Sequence, residues 1–193
     1  MLKSNVQDSE NRKEGLKMKG KSNIAVILTL AMTFCFILVL LAQAEEKVKS
    51  LKWADHKPNP RFAIYDPGSP TKEVDDLVLD RKTGLIWARN ANLAGKQFEW
   101  EDATNHCQNL ALGDCKGWRL PTKEELSSLI DPTQTAPPLP KGHSFINVGY
   151  TYWTSTPHED LSEDAYFVHF GKGEVVHAVS KMHQFSMWPV LGP

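Results

Sequence analysis

A chain of 193 residues, 41% of them hydrophobic and 23% charged, supports one domain with a sizeable core and hardly a second. Its 22 basic and 23 acidic residues leave a formal charge of −1, which excludes a strongly basic nucleic-acid binder and an acidic solvating tail. The charge is unevenly placed. Six basic and three acidic residues precede Glu45, so 16 basic and 20 acidic ones follow, and that part carries −4. All seven His and all six Trp also lie beyond Glu45.

Ile24 to Ala42 (IAVILTLAMTFCFILVLLA) runs for 19 residues without a charge. Lys17, Lys19 and Lys21 precede it, and Ala42-Gln43-Ala44 follows. A basic stretch, an apolar stretch and small residues around a cleavage point form the secretory signal pattern, with cleavage after Ala44. The competing reading retains residues 24–42 as a membrane anchor, since ~20 apolar residues suffice to cross a bilayer. The Ala-Gln-Ala site favours cleavage, and the destination is then the periplasm or the outside of the cell. The polar leader before Lys19 is unlike a short basic stretch, so translation is expected to begin at Met18. Cys35 follows Met32-Thr33-Phe34, too bulky for a lipoprotein site.

Glu45 to Pro60 is Lys-rich and ends Lys57-Pro58-Asn59-Pro60, which reads as a linker and leaves residues 61–193 as the domain. Arg61 to Tyr65 is a short strand candidate, and Asp66-Pro67-Gly68-Ser69-Pro70 is a turn cluster. Val74 to Asp80 and Gly84 to Arg89 read as two strands around a polar turn. Trp100, Ala103, Cys107, Leu110 and Ala111 recur at helical spacing over Trp100 to Leu112, with Gly113 placed as a C-terminal cap. A second helix begins at Thr122, where Thr122-Lys123-Glu124-Glu125 is a capping box, and Asp131-Pro132 stops it. A Pro-rich loop, Asp131 to Gly142, leads into short strand-like segments at Tyr150–Thr156, Ala165–Phe170, Val175–Val179 and Met187–Val190. The outline is α+β: two helices among short antiparallel strands, with long irregular loops.

Removal of the signal leaves two cysteines, Cys107 and Cys115, with seven residues between them. An even pair in an oxidising compartment predicts a disulfide. So small a ring contributes about 2–3 kcal/mol in the chain-entropy account.

Five stretches in order carry a resemblance. They are Leu79-Asp80-Arg81-Lys82-Thr83-Gly84-Leu85-Ile86-Trp87; Trp100-Glu101-Asp102-Ala103 with Cys107 and Leu110; Gly117-Trp118-Arg119-Leu120-Pro121-Thr122 with Glu125-Leu126; Tyr152-Trp153-Thr154-Ser155-Thr156; and Trp188-Pro189-Val190. Together they resemble the Lcl C-terminal domain family, exported bacterial domains of unknown function, from Arg61 to the end. The resemblance implies a C-type-lectin-like fold, shared with formylglycine-generating enzymes that also carry an R-L-P-T-x-x-E segment. The family's closing Val-Arg-Gly-Gly is here Val190-Leu191-Gly192-Pro193, and Cys115 stands where the family often has another residue.

Arg119, between Trp118 and Leu120 and just before a helix, is expected to be half-buried and to need a carboxylate, Glu125 or Asp102. A scaffold ion pair is favoured over an anion site, because unpaired buried charge is costly. Trp87, Trp100, Trp118, Trp153 and Trp188 are expected in the core rather than on sugars. His169 and His177 flank a hairpin turn and, with His183, have the residue type of a zinc site, but such pairs more often pack or face water. Asp160, Glu163 and Asp164 have the oxygen ligands of a calcium loop, though a solvated loop is the simpler reading. No metal or cofactor is expected, and no Ser-His-Asp order, phosphate loop or HExxH motif occurs.

The sequence therefore reads as a non-enzymatic exported binding module for a glycan or a surface protein, with no nucleic-acid partner. A structural envelope component is the alternative. An oxidase of the formylglycine-generating type would need reactive cysteines near the end, and none follows Cys115. Binding is expected on the loops Asp131–Asn147 and Pro157–Asp164, converging at Lys141, His143, His158, Asp160, Glu163 and Asp164, with His158, Asp160, Glu163 and Asp164 as the ligand-binding set.

Overall fold

The computed structural model describes residues 51, 53–55, 58–65, 77–113, 115–171 and 174–192, with Asp55 and 174–177 in backbone only. All fall in the unit Lys47–Pro193. The apolar run 24–42, Ala44, the Met18 start and the turn cluster at 66–70 lie outside the described residues.

In chain order the elements are β1 (Trp53–Asp55), β2 (Phe62–Tyr65), β3 (Leu77–Asp80), β4 (Ile86–Ala88), α1 (Trp100–Gln108), α2 (Lys123–Ser127), β5 (Thr151–Pro157), β6 (Asp164–His169), β7 (Glu174–Ser180) and β8 (Val190–Leu191). The first sheet has the order β1-β2-β3-β4-β8 and the second β5-β6-β7. Every pairing is antiparallel. The mixed α+β class expected from the sequence is the class observed. No helix among the described residues is long and apolar enough to cross a membrane.

The expected linker is partly a strand. Within Leu51-Lys52-Trp53-Ala54-Asp55, Trp53 pairs with Tyr65 and Asp55 with Ala63. Leu51, only 8% exposed, packs with Leu77, Ile86, Cys115, Trp118 and Leu191.

The turn between β3 and β4 is built on Asp80, whose side chain is fully buried. Its Oδ1 accepts the Lys82 amide at 3.0 Å, and its carbonyl accepts the Gly84 amide at 2.8 Å. Gly84 sits at φ 76°, a conformation that a residue without Cβ adopts without strain. Burying this carboxylate is tolerable because Arg61 grips both oxygens, at 2.8 and 2.6 Å. The same guanidinium donates to the Ser128 carbonyl at 3.0 Å, tying the entry of β2 to the end of α2.

Large apolar side chains fill the space between the sheets. Phe62, Val78, Trp87, Leu126, Leu129, Phe145, Tyr152 and Trp188 form one cluster. Phe98, Ala103, Cys107, Leu120, Trp153, Phe167 and Met187 form a second. Trp87, Trp118, Trp153 and Trp188 are each at most 1% exposed, as expected. Trp100 is half-buried instead, and the Lys181 ammonium covers its ring at 4.7 Å.

Truncating Leu51 to Ala should destabilise the chain by about 2–4 kcal/mol, the range for a buried leucine. Urea unfolding of the variant measures this. A free linker at residues 45–60 would show no change.

Candidate functional site

The segment from Trp118 to Lys123 lies between the two sheets and bonds to both. The Arg119 amide and carbonyl exchange bonds with Val190, each at 3.0 Å. On the other side the Pro121 carbonyl accepts the Ser155 amide at 2.7 Å, and the Lys123 amide donates to Thr156 Oγ1 at 3.1 Å. Trp118 Nε1 donates to the Cys115 carbonyl at 3.1 Å. Trp153 Nε1 reaches the Phe98 carbonyl at 2.8 Å.

Of the two carboxylates expected as candidates for Arg119, Glu125 and Asp102, it is Glu125 that pairs with it. The guanidinium and carboxylate pair twice, each bond 2.7 Å. Glu125 Oε2 also accepts the Thr122 amide at 2.8 Å, while Thr122 Oγ1 accepts the Glu125 amide at 3.2 Å. That closes the capping box on α2. Burial pushes the Glu125 carboxyl up, but the Arg119 bonds, the Thr122 amide and the Arg119 charge outweigh it. The result lies below the ordinary glutamate value. The oxygens of this motif are thus turned inward, onto structure.

The expected Cys107–Cys115 disulfide is not formed. Helix α1 stops at Gln108, with Asn109 as its C-cap, rather than continuing to Leu112. Cys107 therefore stays on the buried face of the helix, 3.6 Å from Met187 Sδ. Cys115 lies in the separate cluster around Trp118 and points its sulfur at the Gly113 carbonyl, 3.5 Å away. Gly113, at φ 59°, serves the tight turn between Leu112 and Cys115, not a helix cap. Burial raises the Cys107 thiol to about 12, far from the thiolate range that redox chemistry needs.

The two loops expected to converge flank opposite ends of β5. Asn147 precedes Thr151 and His158 follows Pro157, and a seven-residue strand separates its ends by about 20 Å. In the loop after β5, His158 is a structural hub. Its Nδ1 accepts the Asp160 and Leu161 amides at 3.1 and 3.2 Å. Its ring stacks on Tyr166, 5.7 Å between centroids, and the Lys123 ammonium sits over the same Tyr166 ring at 4.2 Å. Asp160 and Glu163 are exposed, and Asp164 is half-buried at the start of β6. The Glu163 carbonyl accepts the Lys181 amide at 2.9 Å. The loop is thus folded on itself and presents acidic side chains to water.

At the other end of β5, Tyr150 is 73% exposed. It borders a cleft of about 130 Å³ with Pro137, Val148, Gly149, Phe170 and Gly171. Sequence reasoning placed Tyr150 in a strand and missed it as a surface group; its flanking Gly149 was the available signal. Lys141 is exposed and His143 half-buried. The Lys141 carbonyl accepts the Asn59 side-chain amide at 3.0 Å, and His143 Nδ1 accepts the Phe145 amide at 3.2 Å.

Among the described residues no three His, Cys, Asp or Glu side chains gather as metal ligands. The β6–β7 register sets His169 opposite Glu174, not opposite His177.

Residues 76–191 match the family model of the Lcl C-terminal domain. No curated protein and no solved structure matches the chain.

Two measurements probe this geometry. The Glu125 carboxyl lies lower in the folded chain than in the unfolded one. The stability it confers is therefore present above the unfolded value and lost as pH falls through the folded value. Glu125→Gln should cost about 1–2 kcal/mol at neutral pH, a figure reduced for solvent screening of a partly exposed pair. In unfolding titrations the gap between variant and parent should close below about pH 4. Separately, the two described thiols should resist alkylation until the chain is unfolded, and a reductant should leave the melting temperature unchanged; a rise in mass by two hydrogens on reduction would contradict this.

Proposed function

We propose that this chain, which belongs to the Lcl C-terminal domain family, is an exported, non-enzymatic binding module of C-type-lectin-like fold that recognises a glycan or a surface protein at a bacterial envelope. The observation that supports the reading is a division of labour among side chains. Arg119, Thr122, Glu125 and the Nε1 of Trp118 and Trp153 are engaged in bonds within the domain. The loops at both ends of β5 meanwhile present Tyr150, Asp160, Leu161 and Glu163 to water. A fixed scaffold with exposed loops is how folds carry binding sites. The signal-like segment before Glu45 supports export, and cleavage after Ala44 would release the module; retention of residues 24–42 would anchor it.

The exported chain should bind a member of a glycan array or a purified envelope protein saturably, and lose that binding on thermal unfolding. Absence of saturable binding to both classes would leave a structural envelope component as the better reading.

A further inference from the structure

The surface around Lys181 carries a more specific reading, which rests on the binding-module proposal above and selects a protein over a glycan. Residues 99–102 and 159–164 hold seven of the 20 acidic residues beyond Glu45 and no Lys or Arg, leaving 13 acidic against 16 basic residues elsewhere in that part. The negative excess therefore resides in these two stretches, and the fold joins them. The Lys181 carbonyl accepts the Trp100 amide at 2.9 Å, and the Lys181 amide donates to the Glu163 carbonyl at 2.9 Å. The Lys181 ammonium is turned inward, donating to the Ser162 carbonyl and covering the Trp100 ring. Glu101 and Asp102 on one side, with Glu159, Asp160 and Glu163 on the other, are exposed. Among the described residues no ion pair engages these five carboxylates.

Two apolar side chains stand among them. Leu161 is 54% and Met182 70% exposed. The β6–β7 register pairs Asp164 with Ser180, and the Lys181–Glu163 bond extends it by one step, which brings Met182 alongside the Leu161–Ser162 turn. Both backbones are held. The Leu161 amide donates to His158 Nδ1 at 3.2 Å, its carbonyl accepts the Asp164 amide at 2.9 Å, and the Met182 amide donates to Ser180 Oγ at 3.4 Å. A surface already ordered loses little freedom when a partner covers it. Exposed apolar side chains inside a charged rim are the anatomy of a protein interface.

We propose that this face docks a basic amphipathic segment of a partner protein, with its Lys or Arg side chains against the exposed carboxylates and an apolar side chain over Leu161 and Met182. Charge complementarity selects that occupant. Unpaired carboxylates steer a cationic partner in and reject an anionic one, which sets aside polyanionic glycans and anionic lipid surfaces. A neutral glycan draws nothing from the charge. A lone metal ion finds no three ligands gathered among the described residues. The flexible thioether of Met182 adapts to the apolar part of the partner.

The test titrates the chain with a synthetic Lys/Leu peptide, a Lys/Ser peptide of the same charge and a Glu/Leu peptide, read by calorimetry at low and physiological salt. Heparin, a neutral trisaccharide and purified envelope proteins serve as comparison. The Lys/Leu peptide should bind about tenfold or more tightly than the Lys/Ser one, lose affinity with salt, and crosslink through its lysines to Asp160 or Glu163 under carbodiimide. The Glu/Leu peptide should not bind. Asp160→Asn with Glu163→Gln, and separately Leu161→Ser with Met182→Ser, should each weaken Lys/Leu binding by about tenfold or more while leaving the melting curve in place. The second pair should leave Lys/Ser binding unchanged. Lys/Leu binding indifferent to either pair overturns the docking face and leaves the module reading standing. So does a chain that binds no peptide but still binds heparin, the trisaccharide or an envelope protein. Binding of nothing in any class overturns both.

Discussion

Everything in this domain hangs on one short seam. Residues 118–123 bond on one side to β8 through Arg119 and Val190 and on the other to β5 through Pro121, Lys123, Ser155 and Thr156. A chain that must serve two sheets at once has little freedom in how it enters the next helix. The bidentate Arg119–Glu125 pair fixes that entry. Glu125 acts twice, neutralising the guanidinium and capping α2. A helix of five residues has almost no stability of its own, because nucleation is costly. It persists because its first turn is capped and Leu126 is fully buried.

The second fixed point is Asp80 with Arg61. An unpaired buried carboxylate would ionise only at great cost, so the pair and the amide of Lys82 are conditions for the turn rather than ornaments on it. Through Ser128 the same arginine reaches the end of α2. The two ion pairs thus grip α2 from opposite ends, Glu125 in its first turn and the Ser128 carbonyl beyond its last. The short helix works as a joint between β2, β5 and β8.

What the sequence made legible was local chemistry. The capping box at Thr122 and Glu125, the glycine turn after Asp80 and the alternation in β5 and β6 depend on residues within one or two turns of each other. Tertiary choices were harder to read. Arg61 and Asp80 are 19 residues apart and share no pattern. The helix after Trp100 looked longer because Leu110 and Ala111 continue its apolar spacing, yet the chain turns at Leu112 to Cys115, so the cysteines part company. The Lys-rich run before Pro58 hid Leu51 and Trp53, whose two-residue spacing is that of a strand. Exposure of Tyr150 follows from where β5 begins relative to Phe170, which no local pattern encodes. The family resemblance, by contrast, was readable because its motifs coincide with the seam and the Asp80 turn.

The position of β8 also sets an order of events for a chain that is made N-terminus first. Trp188, whose Nε1 donates to the Ala88 carbonyl across 100 residues of sequence, and Val190, which bonds to the seam, are made after every element they join. Until they emerge, β4 lacks its outer neighbour and the central aromatic cluster lacks the ring that Trp87, Phe145, Tyr152 and Phe170 all touch. Contacts so distant in sequence delay folding. The contacts that join β4 to the seam therefore form only once β8 is delivered.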